Sequence, residues 1–172
     1  NNLGVILRDL GQVDDAIKYY KKALAIKPDY AAVYYNLGFI YQDLGELDEA
    51  IEYYEKALKS DIKTFGENHP KVATRWNNLG EVWRAKGEYD KAIEYYEKCL
   101  EVAVELDHEV LKLTSFGALG GAYSRMNQRE LSLEYNLRAY NLSMTLDNQP
   151  QLSYITFNLG DNYQTLREYD KA

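Results

Sequence analysis

A Leu-Gly pair recurs five times in the same setting: Leu3-Gly4, Leu37-Gly38, Leu79-Gly80, Leu119-Gly120 and Leu159-Gly160. The pairs stand 34, 42, 40 and 40 residues apart. Self-similarity at a period of roughly 20–50 residues marks a repeat array. It restricts the chain to stacked copies of one small unit, each touching only its neighbours. Such a stack offers a long surface and no inherited active site.

Residues 31–62 show what one unit is. Tyr34, Leu37, Tyr41 and Leu44 recur at i, i+3, i+7 and i+10, one face of a helix. Gly45 follows as a left-handed cap. Leu47, Ala50, Ile51, Tyr54, Ala57 and Leu58 then form a second stripe of the same period. The unit is two antiparallel helices joined by a very short turn, and the fold is all-α. Gly38 lies inside the first helix, where glycine costs about 1 kcal/mol relative to alanine. The expected reason is close approach of a small residue on the second helix: Ala50 to Gly38, Ala16 to Gly4 and Ala92 to Gly80.

An aromatic, Leu-Gly, an aromatic and then Ala-x-x-x-aromatic resembles the tetratricopeptide repeat. The third repeat is close to it, with Trp76, Leu79-Gly80, Trp83, Gly87, Ala92 and Tyr96. The first shows Leu3-Gly4, Leu7, Gly11, Ala16, Tyr20, Ala23 and the closing Pro28. In the fourth, Phe116, Leu119-Gly120 and Tyr123 fit, but Ser132 and Asn136 replace the alanine and the aromatic. The resemblance implies a right-handed superhelical solenoid of helix pairs. One array spans 1–172, divided as 1–30 (partial), 31–72, 73–112, 113–152 and 153–172 (partial).

The longer periods extend the second helices and their exits. Leu58, Ile62 and Phe65 keep helical spacing, Gly66 stops the helix and Pro70 opens the next. The junction Phe65-Gly66-Glu67-Asn68-His69-Pro70-Lys71-Val72-Ala73 is similar to that of kinesin-light-chain-type repeats of 42 residues. Leu106-Asp107-His108-Glu109 and Leu146-Asp147-Asn148-Gln149-Pro150 resemble junctions in the forty-residue repeats of spindle-orientation adaptors and bacterial peptide sensors. The chain begins inside one repeat and stops inside another, which reads as a piece of a larger, bacterial-type protein of this family. The half-built fifth repeat would leave Phe157, Tyr163 and the face under Ala172 uncovered, so end-to-end self-association or fraying is expected.

Other classes find little support. The chain carries 20 basic and 27 acidic residues, a net charge of −7, which disfavours nucleic acid and anionic membranes as partners. No apolar run approaches the roughly 20 residues of a membrane span, and a cytoplasmic setting is expected. Cys99 is the single cysteine and stands where the second repeat has Ala57, so it reads as a small buried residue. His69 and His108, one per junction, read as turn or capping residues. Glu46, Asp48, Glu49, Glu88 and Asp90 sit where second helices begin, suited to the helix dipole and to capping free amides. No catalytic triad, phosphate loop or metal-ligand spacing is visible. The expectation is therefore a non-enzymatic protein without cofactor or metal. Most of the 17 tyrosines read as packing residues.

The resemblance further implies that first helices line a concave groove, with the residue before each Leu-Gly pair facing into it. Those residues are Asn2, Asn36, Asn78, Ala118 and Asn158. An asparagine amide both donates and accepts, so it can pair with the backbone of an extended peptide. The row is similar to the asparagine ladder of a nucleocytoplasmic sugar transferase. The alternative is that these amides bond within or between neighbouring repeats. The same face adds Phe39, Glu81 and Gly121, then Arg84 and Arg125, with Tyr35, Asn77 and Phe157 beside the row. A clamp for chaperone C-terminal carboxylates would need basic residues where Asn1, Tyr35 and Thr74 stand. Gly117, Ala118, Gly120, Gly121 and Ser124 leave the fourth repeat bare, either a dent for a ligand side chain or a decayed repeat. The chain thus reads as a scaffold binding a protein or peptide in its groove. The alternatives are a regulatory sensor controlling an effector elsewhere, or a scaffold that self-assembles through its ends.

Overall fold

An apolar stripe on one helix must be covered, and in this chain the next helix covers it. The computed structural model describes residues 2–146. They form eight α-helices and no strand: α1 (Asn2–Asp9), α2 (Val13–Ile26), α3 (Ala31–Asp43), α4 (Leu47–Phe65), α5 (Pro70–Ala85), α6 (Tyr89–Glu105), α7 (Glu109–Arg125) and α8 (Arg129–Thr145). Each helix packs on the next in sequence, and α5 also packs on α7. Among the described residues no two even-numbered helices meet in this way. Where α5 meets α7, the odd-numbered helices are the closer-packed, inner layer of the stack. The uncovered end expected in the fifth repeat lies outside the described residues, as do Tyr163 and Ala172.

Within each pair the turn is the same. The amides of Gln12, Glu46, Glu88 and Gln128 donate to the carbonyls of Leu7, Tyr41, Trp83 and Tyr123. The residue before each of these amides has positive φ: glycine in three pairs, such as Gly45 at 77°, and Asn127 at 59° in the fourth. Asparagine tolerates this region better than most L-residues. Leu44, read from sequence as part of the buried stripe, sits at this turn and is half exposed.

The junction after α4 is built differently, whereas the one after α6 repeats the turn, with Asp107 at a φ of 50° and the His108 amide donating to the Ala103 carbonyl at 2.8 Å. Gly66 ends α4, Pro70 opens α5, and His69 Nδ1 accepts from the Lys71 amide at 3.1 Å. His108 Nδ1 accepts from the Leu111 amide at 3.4 Å. Both histidines are caps, as their positions suggested. The acidic residues behave otherwise. Neither Glu46 nor Glu88 makes a side-chain capping bond. Asp48, Glu49 and Asp90 stand in first turns, where their charge favours the dipole without closing an amide.

The helix-interior glycines face something other than the expected alanines. A Cβ on Gly38 would lie 2.7 Å from the Tyr54 ring. Gly4 meets Tyr20, and Gly80 meets Tyr96, in the same way. Ala16, Ala50 and Ala92 are fully buried one turn earlier. A helical side chain leans back over the turn that precedes it. Each tyrosine ring thus covers the spot beside its alanine and needs the glycine opposite. In the fourth pair Gly120 faces Asn136 instead, with a Cβ 2.6 Å from its Oδ1.

Gly117 provides the contrast: it is buried, yet a Cβ there would meet nothing within 4 Å. Gly38→Ala should destabilise, since overpacking costs about 1–3 kcal/mol and opposes about 1 kcal/mol gained in helix propensity. Gly117→Ala should stabilise by up to about 1 kcal/mol. Urea denaturation of both variants checks this, and midpoints moving in the same direction would refute it.

Candidate functional site

The tyrosines beneath the glycines are long enough to reach the inner layer, where their hydroxyls organise its polar residues. Tyr54 and Tyr96 rings are buried. The Tyr54 hydroxyl donates to Gln42 Oε1 at 2.9 Å. The Tyr96 hydroxyl donates to Glu81 Oε1 at 2.6 Å. The second Glu81 oxygen accepts from Arg84 Nε at 3.1 Å and Nη2 at 2.6 Å. Burial pushes both phenols up, and the Glu81 carboxylate adds to this at Tyr96. The hydrogen bonds to Glu81 likewise push the Arg84 guanidinium up. Both phenols stay protonated at any neutral pH and serve as fixed donors.

The asparagine row is not uniform. Asn36 Nδ2 donates to the Tyr20 hydroxyl, 3.1 Å away in the preceding repeat. That is the inter-repeat bond weighed from sequence. Asn78 occupies the equivalent place one repeat on, but there the Tyr54 hydroxyl is directed to Gln42. Asn78 Nδ2 is covered and has no partner, and neither has Asn77 Oδ1. Both residues remain only half-buried overall. Ala118 interrupts the row in α7.

Other expected residues fall on the same layer. Phe39 and Tyr35 are half-buried and pack on the core between α4 and α5. Gly121 is half-buried and Arg125 exposed. Asn2 begins α1; its side chain, Phe157 and Asn158 lie outside the described residues.

Sequence reading missed Arg75 and Asp61. Arg75 Nε donates to Asp61 Oδ2 at 2.8 Å, with the two side chains 14% and 7% exposed. The Arg75 guanidinium carbon also sits 4.1 Å over the Tyr35 ring. This ion pair ties α4 to α5 and covers the outer face of Tyr35. The available signal was a comparison between repeats. Four residues before Leu-Gly stand Val33, Arg75 and Ser115, so one charge interrupts an apolar or small position.

In the fourth repeat a polar pair replaces the ring. Ser132 Oγ donates to the Gly120 carbonyl at 2.9 Å, and Asn136 Nδ2 donates to Ser132 Oγ at 3.3 Å. Asn136 Oδ1 is buried without a partner. Among the described residues no three His, Cys, Asp or Glu side chains gather as a metal site. Among the same residues no helix is long and apolar enough to cross a membrane. Cys99 is a buried free thiol, pushed up by desolvation.

Comparison with known proteins bears on this architecture. The family model described as tetratricopeptide repeat matches residues 29–103 and 76–145. A second, described as TPR repeat, matches residues 4–45. No curated protein matches the chain. The crystal structure of BtubC (BKLC) from P. vanneervenii is similar at 27% identity and a TM-score of 0.86, covering 99% of this chain and 72% of that one. A Podosopora anserina protein of nearly identical TPR-like repeats, named for kinesin light chain, is 20% identical with a TM-score of 0.78. That alignment covers 99% of this chain and 86% of that one. A substituted form of the same Podosopora anserina protein gives 20% and 0.80, with the same coverage. At that identity the likeness concerns the fold alone.

Two measurements test the buried groups. Asp61→Ala leaves Arg75 without its counter-charge and should cost about 3–5 kcal/mol. Adding Arg75→Met should recover most of that loss, and a double variant as unstable as the single one in urea would contradict the pairing. Cys99 should react with an aromatic disulfide reagent at pH 8 only as fast as the protein opens. Its raised pKa leaves less thiolate at that pH than a free cysteine has, and burial blocks access. Labelling at the rate of an unfolded control would contradict this.

Proposed function

Since the chain belongs to the tetratricopeptide repeat family, we propose that it is a scaffold that binds a protein partner by an extended peptide laid along the inner layer of helices. Tetratricopeptide arrays are in general protein-interaction scaffolds and typically not enzymes.

The observation that carries this reading is Asn78. Asparagine is a weak helix former, yet it stands in mid-α5 with an amide nitrogen unpaired by the chain itself. A buried donor left unmade costs about 1–3 kcal/mol. A peptide carbonyl passing along the groove would remove that cost once the amide turns toward it. The surrounding face is already ordered: Tyr54 holds Gln42 and Tyr96 holds the Glu81–Arg84 pair. Groups held in place before binding lose little freedom on binding. The face mixes donors, acceptors and one neutralised ion pair, which suits peptide backbone more than a strongly charged motif.

A displayed library of random dodecapeptides, selected on the protein and then measured one by one, tests this. Asn78→Ala should weaken selected peptides roughly tenfold, the equivalent of about 1.4 kcal/mol. Asn36→Ala should weaken them too, and should also lower stability because the bond to Tyr20 is lost. Lys98→Ala, on an exposed position of α6, should change neither. Equal affinities for wild type and both asparagine variants would remove the row from the binding surface.

A further inference from the structure

At the junction of α4 and α5 one guanidinium is held in place without being used up. Arg75 Nε donates to Asp61 Oδ2 at 2.8 Å, and the guanidinium carbon lies 4.1 Å over the Tyr35 ring of α3. Asp61 fixes one edge of the plane, and Tyr35 covers one face. A guanidinium carries five N–H donors, and this bond uses a single one. Among the described residues Asp61 is the only hydrogen-bond partner of Arg75, so the Nη hydrogens have none. The Nη nitrogens are not sealed off either. Asn77 Oδ1 and Asn78 Nδ2 on the same helix are covered and unpaired, whereas no Nη atom of Arg75 is. The 14% of this side chain that stays exposed therefore includes its Nη edge.

The surroundings give the direction of that edge. In a guanidinium the Nη1–Nη2 edge points away from Nε, and here the Nε hydrogen is taken by Asp61 on α4. The Nη edge lies instead between α3 and α5, which do not pack on each other as α5 and α7 do. Arg75 stands three residues before Asn78, one turn away on the same side of α5. The Tyr54 hydroxyl donates to Gln42 on α3. Burial pushes that phenol up, and the nearby Arg75 charge partly opposes the push. The open edge thus borders the strip of inner layer that holds Gln42 and Asn78. The equivalent residues in the neighbouring repeats are Val33 and Ser115, so neither of them offers such a donor.

We propose that the Nη edge of Arg75 is a second anchor of the groove, donating to a main-chain carbonyl of the bound peptide. The proposal rests on the groove reading and adds a binding residue of a different chemistry to it. The contact lies on the surface, so no side chain has to enter the protein. A guanidinium fixed at one edge and one face loses little freedom when it binds. A bond from a charged donor is also stronger than one from a neutral amide such as Asn78. Charge selects the acceptor. Asp61 already balances Arg75, so the place suits a neutral oxygen. A peptide carboxylate would bring a second anion to a single cation, and a partly buried charge without its own partner is disfavoured. Arg84 is not an equivalent donor, since two of its guanidinium nitrogens are bound to Glu81.

Peptides from the dodecapeptide selection, measured on Arg75→Lys, test this. Lysine keeps a cation for Asp61 and Tyr35, but its compact ammonium lacks the fork that extends past them. The expected result is binding weakened roughly tenfold with a thermal midpoint near that of the wild type. Should Arg75→Lys melt early, the Asp61→Ala/Arg75→Met variant, which removes both charges, carries the same expectation. In a second arm each carbonyl of one selected peptide is replaced in turn by a thioamide, whose sulfur is a weak acceptor. One position should cost roughly tenfold on the wild type and almost nothing on Arg75→Lys. Wild-type affinity should change little between low and high salt, because the acceptor carries no charge. Unchanged affinity on Arg75→Lys, with no thioamide position that tells it from the wild type, would overturn the anchor and leave the groove with Asn78 standing. Selected peptides that share an aspartate or glutamate, lose affinity in salt and lose it again on Arg75→Lys would overturn the carbonyl in favour of a carboxylate. A selection that yields no binding peptide would overturn the groove, and the anchor with it.

Discussion

A flat ring slid under a glycine is the contact from which the rest of the structure follows. Glycine at the centre of a helix is unfavourable on propensity alone. It persists at Gly4, Gly38 and Gly80 because Tyr20, Tyr54 and Tyr96 occupy the place of a Cβ. The contact sets how closely the two helices of a pair approach. It also sets how far the tyrosine projects, and so delivers a hydroxyl to the opposite side of its partner helix. Packing and surface chemistry are linked through one side chain: its ring serves the core, and its hydroxyl orders Gln42 and Glu81.

The departures from this scheme are informative for the same reason. Asn136 is too short to do what a tyrosine does. It turns back to Ser132 and sends nothing to the inner layer. The glycines and the alanine of α7 therefore have no tyrosine hydroxyl to organise them. At the neighbouring junction Arg75 bridges Asp61 and the Tyr35 ring, and nothing equivalent exists at Ser115. The array is regular in its backbone and graded in its chemistry.

Much of this is legible in the sequence, because periodic spacing reports directly on which face a helix buries. The pairing of helices, the positive-φ glycines at the turns and the two histidine caps all follow from residue type and position. The glycine contact was misread for a definite reason. Ala-x-x-x-Tyr offers two candidates one turn apart, and only the backward lean of helical side chains chooses between them. The state of the asparagines was also beyond reach. Asn36 and Asn78 hold the same place in their repeats, but Asn36 donates to the Tyr20 hydroxyl while the Tyr54 hydroxyl donates to Gln42. Arg75 and Asp61 lie 14 residues apart on different repeats, so periodicity within one helix could not join them.

The separation between each glycine and the residue beneath it is the same in all four described pairs: Gly4 to Tyr20, Gly38 to Tyr54, Gly80 to Tyr96 and Gly120 to Asn136. The distance from one Leu-Gly pair to the next is not constant, at 34, 42 and 40 residues over that stretch. Insertions and deletions have thus been absorbed wholly outside the segment running from glycine to ring. A residue added within it would rotate the second helix by about 100° and draw the ring out from under its partner. A residue added beyond it merely prolongs an exit. The hairpin is the heritable module of this chain, and the junction is where its length is free to drift.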